Sequence, residues 1–131
     1  MKSLFLSIAL LFSIGTFGQV EKTFLMTSRK NELCTYEGGK WLVDKRTYAN
    51  IEFEVVDGVI VVDDEKQSKY TPQAKSVTIQ KDGYSYLKVS CLDNKDRRCV
   101  VCLFKEDGET SVFMITIEYD FAKLFYYNYA N

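Results

Sequence analysis

The segment Ile51–Val62, IEFEVVDGVIVV, constrains the fold more tightly than any other stretch of the chain. Ile51, Phe53 and Val55 alternate with Glu52 and Glu54, which is the two-residue period of a strand with one dry and one wet face. Asp57-Gly58 then supplies the two positive φ angles of a type I′ turn, so Val56 is expected opposite Val59, with Ile60 and Val62 on the face of Phe53 and Val55. A hairpin that is apolar on one side only has to be covered by other elements, and an antiparallel sheet does this while leaving its polar side in water.

The same device recurs along the chain. Lys75–Gln80 and Tyr84–Leu92 flank Lys81-Asp82-Gly83, read as a three-residue loop that sets Val77 opposite Leu87 and Ile79 opposite Ser85. Asp93–Arg97 turns the chain again, and a loop of Asn94, Lys95 and Asp96 places Cys91 opposite Cys99 and Val89 opposite Val101. After the Gly108 turn, Phe113, Ile115, Ile117 and Tyr119 alternate with Thr116 and Glu118. Lys22–Ser28 reads as a first strand, Glu37-Gly38-Gly39 as a turn before Trp41, and Asp63–Gln73 as a polar excursion. In the tail, Phe121, Phe125 and Tyr129 recur at helical spacing, while Leu124–Tyr129 is aromatic enough for a strand, so this segment is a strand or a short helix. No helical stretch of about 10 to 15 residues separates the strands, which excludes a parallel α/β fold. About eight to ten short strands joined by hairpins predict an all-β antiparallel meander, closing as a small β-barrel or a two-sheet β-sandwich.

The first eighteen residues, MKSLFLSIALLFSIGTFG, carry Lys2, an apolar run from Leu4 to Phe12, and small residues at Thr16 and Gly18. That is the layout of a secretory signal. Residues 1–18 are therefore expected to be removed, leaving residues 19–131 as a single β domain that is secreted or periplasmic. The apolar run falls short of the roughly 20 residues of a spanning helix, so no stable membrane span is expected after cleavage. With 17 basic against 18 acidic residues and no basic cluster, the chain has no field to gather a nucleic acid.

Four cysteines in an exported chain point to disulfides. The register across the Asn94–Asp96 loop favours Cys91–Cys99, which leaves Cys34 with Cys102 on the other face. The run Cys99–Cys102 (CVVC) lies in a strand and lacks the helix start that activates a redox CxxC pair. The spacing of Cys91, Cys99 and Cys102 lacks the paired knuckles of a zinc site, so no metal and no cofactor are expected.

The chain has no histidine, which removes every Ser-His-Asp and Cys-His arrangement. Carboxylate chemistry is what remains. Glu52 and Glu54 share a strand face about 6 to 7 Å apart, within reach of a hydrolase pair, but they also suit a solvated hairpin face. Asp63, Asp64 and Glu65 lack the loop of a calcium site. No phosphate-cradling glycine motif occurs. The main chemical resource is aromatic: Tyr84, Tyr86, Tyr126, Tyr127 and Tyr129 are the candidate ligand-binding residues, because tyrosines give contact area at low side-chain entropy cost. The leading expectation is a non-enzymatic binding module for a protein, a glycan or a small apolar ligand. The alternatives are a small carboxylate-dependent hydrolase and a purely structural or inhibitory secreted protein.

Overall fold

The structure is a computed structural model and describes residues 22–130, so the leader read over residues 1–18 lies outside it. The described chain forms β1 (Lys22–Ser28), β2 (Lys30–Glu37), β3 (Lys40–Thr47), β4 (Ile51–Val56), β5 (Val59–Val62), β6 (Lys69–Pro72), β7 (Val77–Gln80), β8 (Tyr84–Leu92), β9 (Arg98–Glu106), β10 (Met114–Glu118) and β11 (Ala122–Tyr127). All pairings are antiparallel, in the order β1-β4-β5-β6-β8-β9-β10-β11-β2-β3, with β7 beside β8. The all-β architecture expected from the hairpins is present, and the ambiguous tail contributes a strand.

Turn chemistry sets the local pairing. Asp57 and Gly58 have φ of 53° and 82°, Val56 stands opposite Val59, and Phe53, Val55, Ile60 and Val62 are buried together as their alternation requires. The Asn94–Asp96 loop sets Cys91 opposite Cys99 and Val89 opposite Val101. Leu87, Val89, Val101, Leu103, Ile115 and Ile117 complete a core sealed at its β1 side by Leu25 and Met26. Phe113, placed in this core by its alternation with Ile115, instead precedes β10 and packs beside Phe104, while Val112 is buried. The polar excursion contains β6, whose Tyr70 joins the core.

Two sequence expectations are corrected. The β7–β8 loop is the two residues Asp82 and Gly83, with Lys81 N–H donating to Tyr84 C=O (2.8 Å), so Thr78 faces Leu87 and Ile79 faces Tyr86. One residue of slip moves every β7 side chain to the other face, and Ile79 leaves the core side. The second correction concerns the disulfides, because all four cysteines are free thiols. Asp93 N–H donates to Arg97 C=O (3.0 Å), and paired bonds recur at every second residue, so Cys91 and Cys99 occupy hydrogen-bonded sites, where opposed side chains stand further apart than at the alternate sites. Each thiol turns along the ladder instead, Cys91 to Val89 C=O and Cys99 to Cys91 C=O (3.8 Å each). Burial pushes the Cys91 thiol up to about 12 and the Cys99 thiol up to about 11, so both stay protonated. Cys34 on β2 and Cys102 on β9 have β10 and β11 between them. Three strand spacings come to roughly 14 Å, well beyond disulfide reach.

β1 and β2 are separated only by Arg29, whose N–H donates to Tyr127 C=O (2.7 Å). The bend there is held by a buried polar pair. The Ser28 hydroxyl donates to Asn31 Oδ1, and Asn31 Nδ2 donates to Ala49 C=O (3.1 Å).

Candidate functional site

Residues directly opposite in an antiparallel ladder share a face, so successive registers can be followed across the sheet. On the face opposite the core, Ile79, Tyr86, Phe104, Met114, Tyr127 and Lys30 form one row through β7, β8, β9, β10, β11 and β2. Tyr86 stacks on Phe104 with centroids 4.8 Å apart, and Tyr84 and Phe113 lie 6.2 and 6.4 Å from the same ring. Further along, Phe125 and Tyr127 are parallel within 8° at 6.1 Å, and Tyr129 lies 5.3 Å from Tyr127. Lys30 Nζ sits 4.6 Å from the Tyr127 centroid and 5.0 Å from that of Tyr129, and Lys123 Nζ sits 5.0 Å from that of Phe125, within cation–π range.

A second row runs beside the first: Val77, Lys88, Cys102, Thr116, Phe125, Glu32 and Arg46. Thr116 is buried beneath its larger neighbours. Glu32 accepts from Arg46 Nε (2.6 Å) and from the Tyr127 hydroxyl (3.0 Å). Burial works to raise its pKa, but these bonds outweigh burial and hold the carboxyl below its usual range. The Tyr127 phenol is pushed up by burial and by its bond to Glu32, so it stays a neutral donor.

Tyr84, Tyr86, Tyr127 and Tyr129 are therefore gathered on or beside one face. Tyr126 is not with them. It is 7% exposed and packs edge-on against Phe53 at 4.7 Å, because neighbouring residues of a strand point to opposite sides. Phe104 and Met114, absent from the sequence reading, stand at the centre of the row. Their signal was there in the alternation of Cys102 and Phe104 with buried Val101 and Leu103, but it needed the β9–β10 register to be read. Cys102 lies in the second row, Cys34 one step further out beside Lys123, and Cys91 and Cys99 belong to the core.

At one end of the sheet, the loops following β3, β5 and β8 surround a cleft of about 800 Å³. Asp93 organises this end. Its carboxylate accepts from Lys95 N–H, Arg97 N–H, Arg97 Nε (2.9 Å each) and the Tyr119 hydroxyl (2.8 Å). Burial works to raise the Asp93 carboxyl, yet four donors bring it down to about 2. Asp64 accepts from Ser68 N–H (2.9 Å) and from the Ser68 hydroxyl (2.7 Å), which makes the acidic trio of residues 63–65 a turn.

The carboxylates named from the sequence are not assembled for hydrolysis. Glu54 pairs with Lys22 at 3.3 Å on the open side of β4, and Glu52 is exposed beside it. Among the described residues, no group of three or more His, Cys, Asp or Glu is placed to hold a metal ion, and no helix is long and apolar enough to cross a membrane. Compared with family models, with curated proteins and with solved structures, the chain matches none.

Proposed function

We propose that this chain is an exported, non-enzymatic binding module whose recognition face is the aromatic row on the open side of the sheet, and whose partner is a protein. In this reading the sheet wraps on itself as a barrel. Arg29 hands the strand from the β4 ladder to the β11 ladder, and the Arg29–Tyr127 bond supports that closure.

The observation that carries the reading is the order of the row itself: Tyr86, Phe104, Met114 and Tyr127 aligned across four adjacent strands with Lys30 at the end. Ring orientation favours a protein over a glycan. A sugar ring needs an open aromatic face, but here the faces are turned toward one another and toward lysine ammonium groups. What stays outward are ring edges, the thioether of Met114 and a rim of Lys88, Glu118 and Arg46, a composition that matches protein interfaces.

The test compares the mature protein with its Tyr86→Ala and Met114→Ala variants in capture of partners from the secretion environment, alongside a glycan array. One protein partner should be retained by the wild type and weakened by at least about 1 kcal/mol in one variant, without a matching fall in melting temperature. Selective glycan binding would reject the protein partner. Turnover abolished by a single Asp or Glu substitution in a folded variant would move the chain to the hydrolases.

A further inference from the structure

The cleft at the loop end is a different environment from the aromatic row. Its floor is formed by Ile51, Leu124 and the rings of Tyr70 and Tyr126, and its rim carries Lys45, Lys66 and Lys95. Tyr126 is more than nine-tenths buried as a residue and lines the cleft. Its hydroxyl, with no hydrogen bond to another described residue, is open to the cleft rather than sealed, because among the described residues the sealed and unpartnered side-chain atom is Ser76 Oγ. Two other phenols of the molecule are engaged: Tyr119 donates to Asp93 and Tyr127 donates to Glu32. Tyr126, Tyr70 and Asp64 line the cleft together, so the open hydroxyl of Tyr126 is a donor available on the cleft floor.

The surroundings define what it would meet. Arg97 and Asp93 neutralise each other, and the remaining rim charges balance, with Lys45, Lys66 and Lys95 against Asp63, Asp64 and Glu65. Such a rim selects neither an anion nor a cation. Asp63, Asp64 and Glu65 share the lining with Tyr126, which disfavours a carboxylate or phosphate beside its hydroxyl. Ile51, Leu124 and the tyrosine rings offer an apolar wall, and a cleft of several hundred Å³ with one directed polar group has the form of a small-molecule site.

We propose that this cleft binds an uncharged, mainly apolar small molecule that carries a carbonyl or hydroxyl oxygen, and that Tyr126 donates its O–H to that oxygen. The site is independent of the aromatic row, so either reading can fail without the other.

The probe is 6-propionyl-2-dimethylaminonaphthalene, a neutral naphthyl ketone whose emission reports hydrogen bonding at its carbonyl. It is titrated against the mature protein, the Tyr126→Phe variant, and Tyr36→Phe as a control on the exposed tip of β2. Tyr126→Phe keeps the ring on Phe53 and removes only the hydroxyl, and its melting curve verifies folding. Saturable binding at one site is expected in the wild type and in Tyr36→Phe. Tyr126→Phe should weaken it about five- to tenfold, the size of one hydrogen bond. A second variant, Asn50→Trp, narrows the rim from an exposed loop position and should weaken binding by at least a similar factor. No saturable binding in the wild type, or equal affinity in both cleft variants, overturns the proposal. Tighter binding of the same naphthalene bearing a carboxylate overturns its uncharged character, and loss of binding in Tyr86→Ala but not in Tyr126→Phe places the probe on the aromatic row instead.

Discussion

Two hairpins of similar length, β8–β9 and β2–β3, use the same backbone pairing, yet the first buries side chains of both strands and the second leaves its outer strand exposed. In β8–β9 every second residue is buried, from Ser85 to Cys91 and from Cys99 to Lys105. In β3 only Thr47 is even partly covered, and Trp41, Leu42 and Val43 stay 37–49% exposed. The ladder bonds are equally available to both. The difference comes from neighbours and pattern: β8 and β9 have strands on both sides, whereas β3 pairs with β2 alone. Trp41-Leu42-Val43 is also contiguous rather than alternating, so no single face of β3 can bury it. Lys40, Lys45 and Arg46 along β3 give the open edge the charge that discourages pairing with another chain. Cross-strand hydrogen bonds thus fix direction and register, and β3, which has neither a second neighbour nor a two-residue apolar period, stays exposed despite them.

The sharpest way to break this comparison is to place the same charge in each hairpin. Leu103→Asp buries an unpaired carboxylate in a fully enclosed site and should cost more than about 4 kcal/mol, which abolishes folding. Leu42→Asp should stay within about 0.5 kcal/mol. Denaturant unfolding measures both, and similar losses would show that β3 is covered in solution.

A smaller contrast lies in the turns. Asp93→Ala removes an acceptor shared by four donors and should cost about 2 to 3 kcal/mol, whereas Gly39→Ala, at φ +82° in open space, should cost about 1 kcal/mol through backbone strain alone. The Asp93 contribution also carries a pH signature. Its folded carboxyl titrates near 2, against 3.8 when free, so the stabilisation is fully present above about pH 4 and is lost as pH falls through 2. About 2 kcal/mol should disappear across that window. In Asp93→Asn this part of the acid slope should vanish, and an unchanged slope would assign acid sensitivity to other carboxylates.

The smallest effect is expected where the two regions meet the aromatic face. Arg46→Gln removes the β3 partner of Glu32, but Arg46 is half exposed and Tyr127 still donates to the carboxylate. A loss of about 0.5 kcal/mol, shrinking further in high salt, is expected.

What could be read from the residues follows the same division. The β4–β5 and β8–β9 registers were legible because Asp57-Gly58 and Asn94–Asp96 are local turn signals acting on strictly alternating strands. β7 slipped by one residue because Lys81-Asp82-Gly83 admits both a two- and a three-residue loop, and turn composition does not choose between them. The disulfide expectation had the Cys91–Cys99 register right and failed on side-chain direction, which sequence spacing does not carry. Grouping Tyr126 with Tyr127 treated the tail as a composition, whereas strand alternation divides the pair between the cleft floor and the open face. Phe104, Met114 and the cleft depend on which strands lie side by side, and that pairing is non-local.

One of those non-local pairings governs time as well as shape. β11 follows in the chain every strand it joins, yet it fits between β10 and β2. Its β10 partner is close in sequence, but the β2 ladder closes a loop of roughly ninety residues, which is slow because the entropy is lost before the contacts form. Until that ladder closes, β2 and β11 each present an open edge. The speed of this one docking event, set against the rate of chain–chain encounter, therefore decides how concentrated the protein can be when it refolds without aggregating.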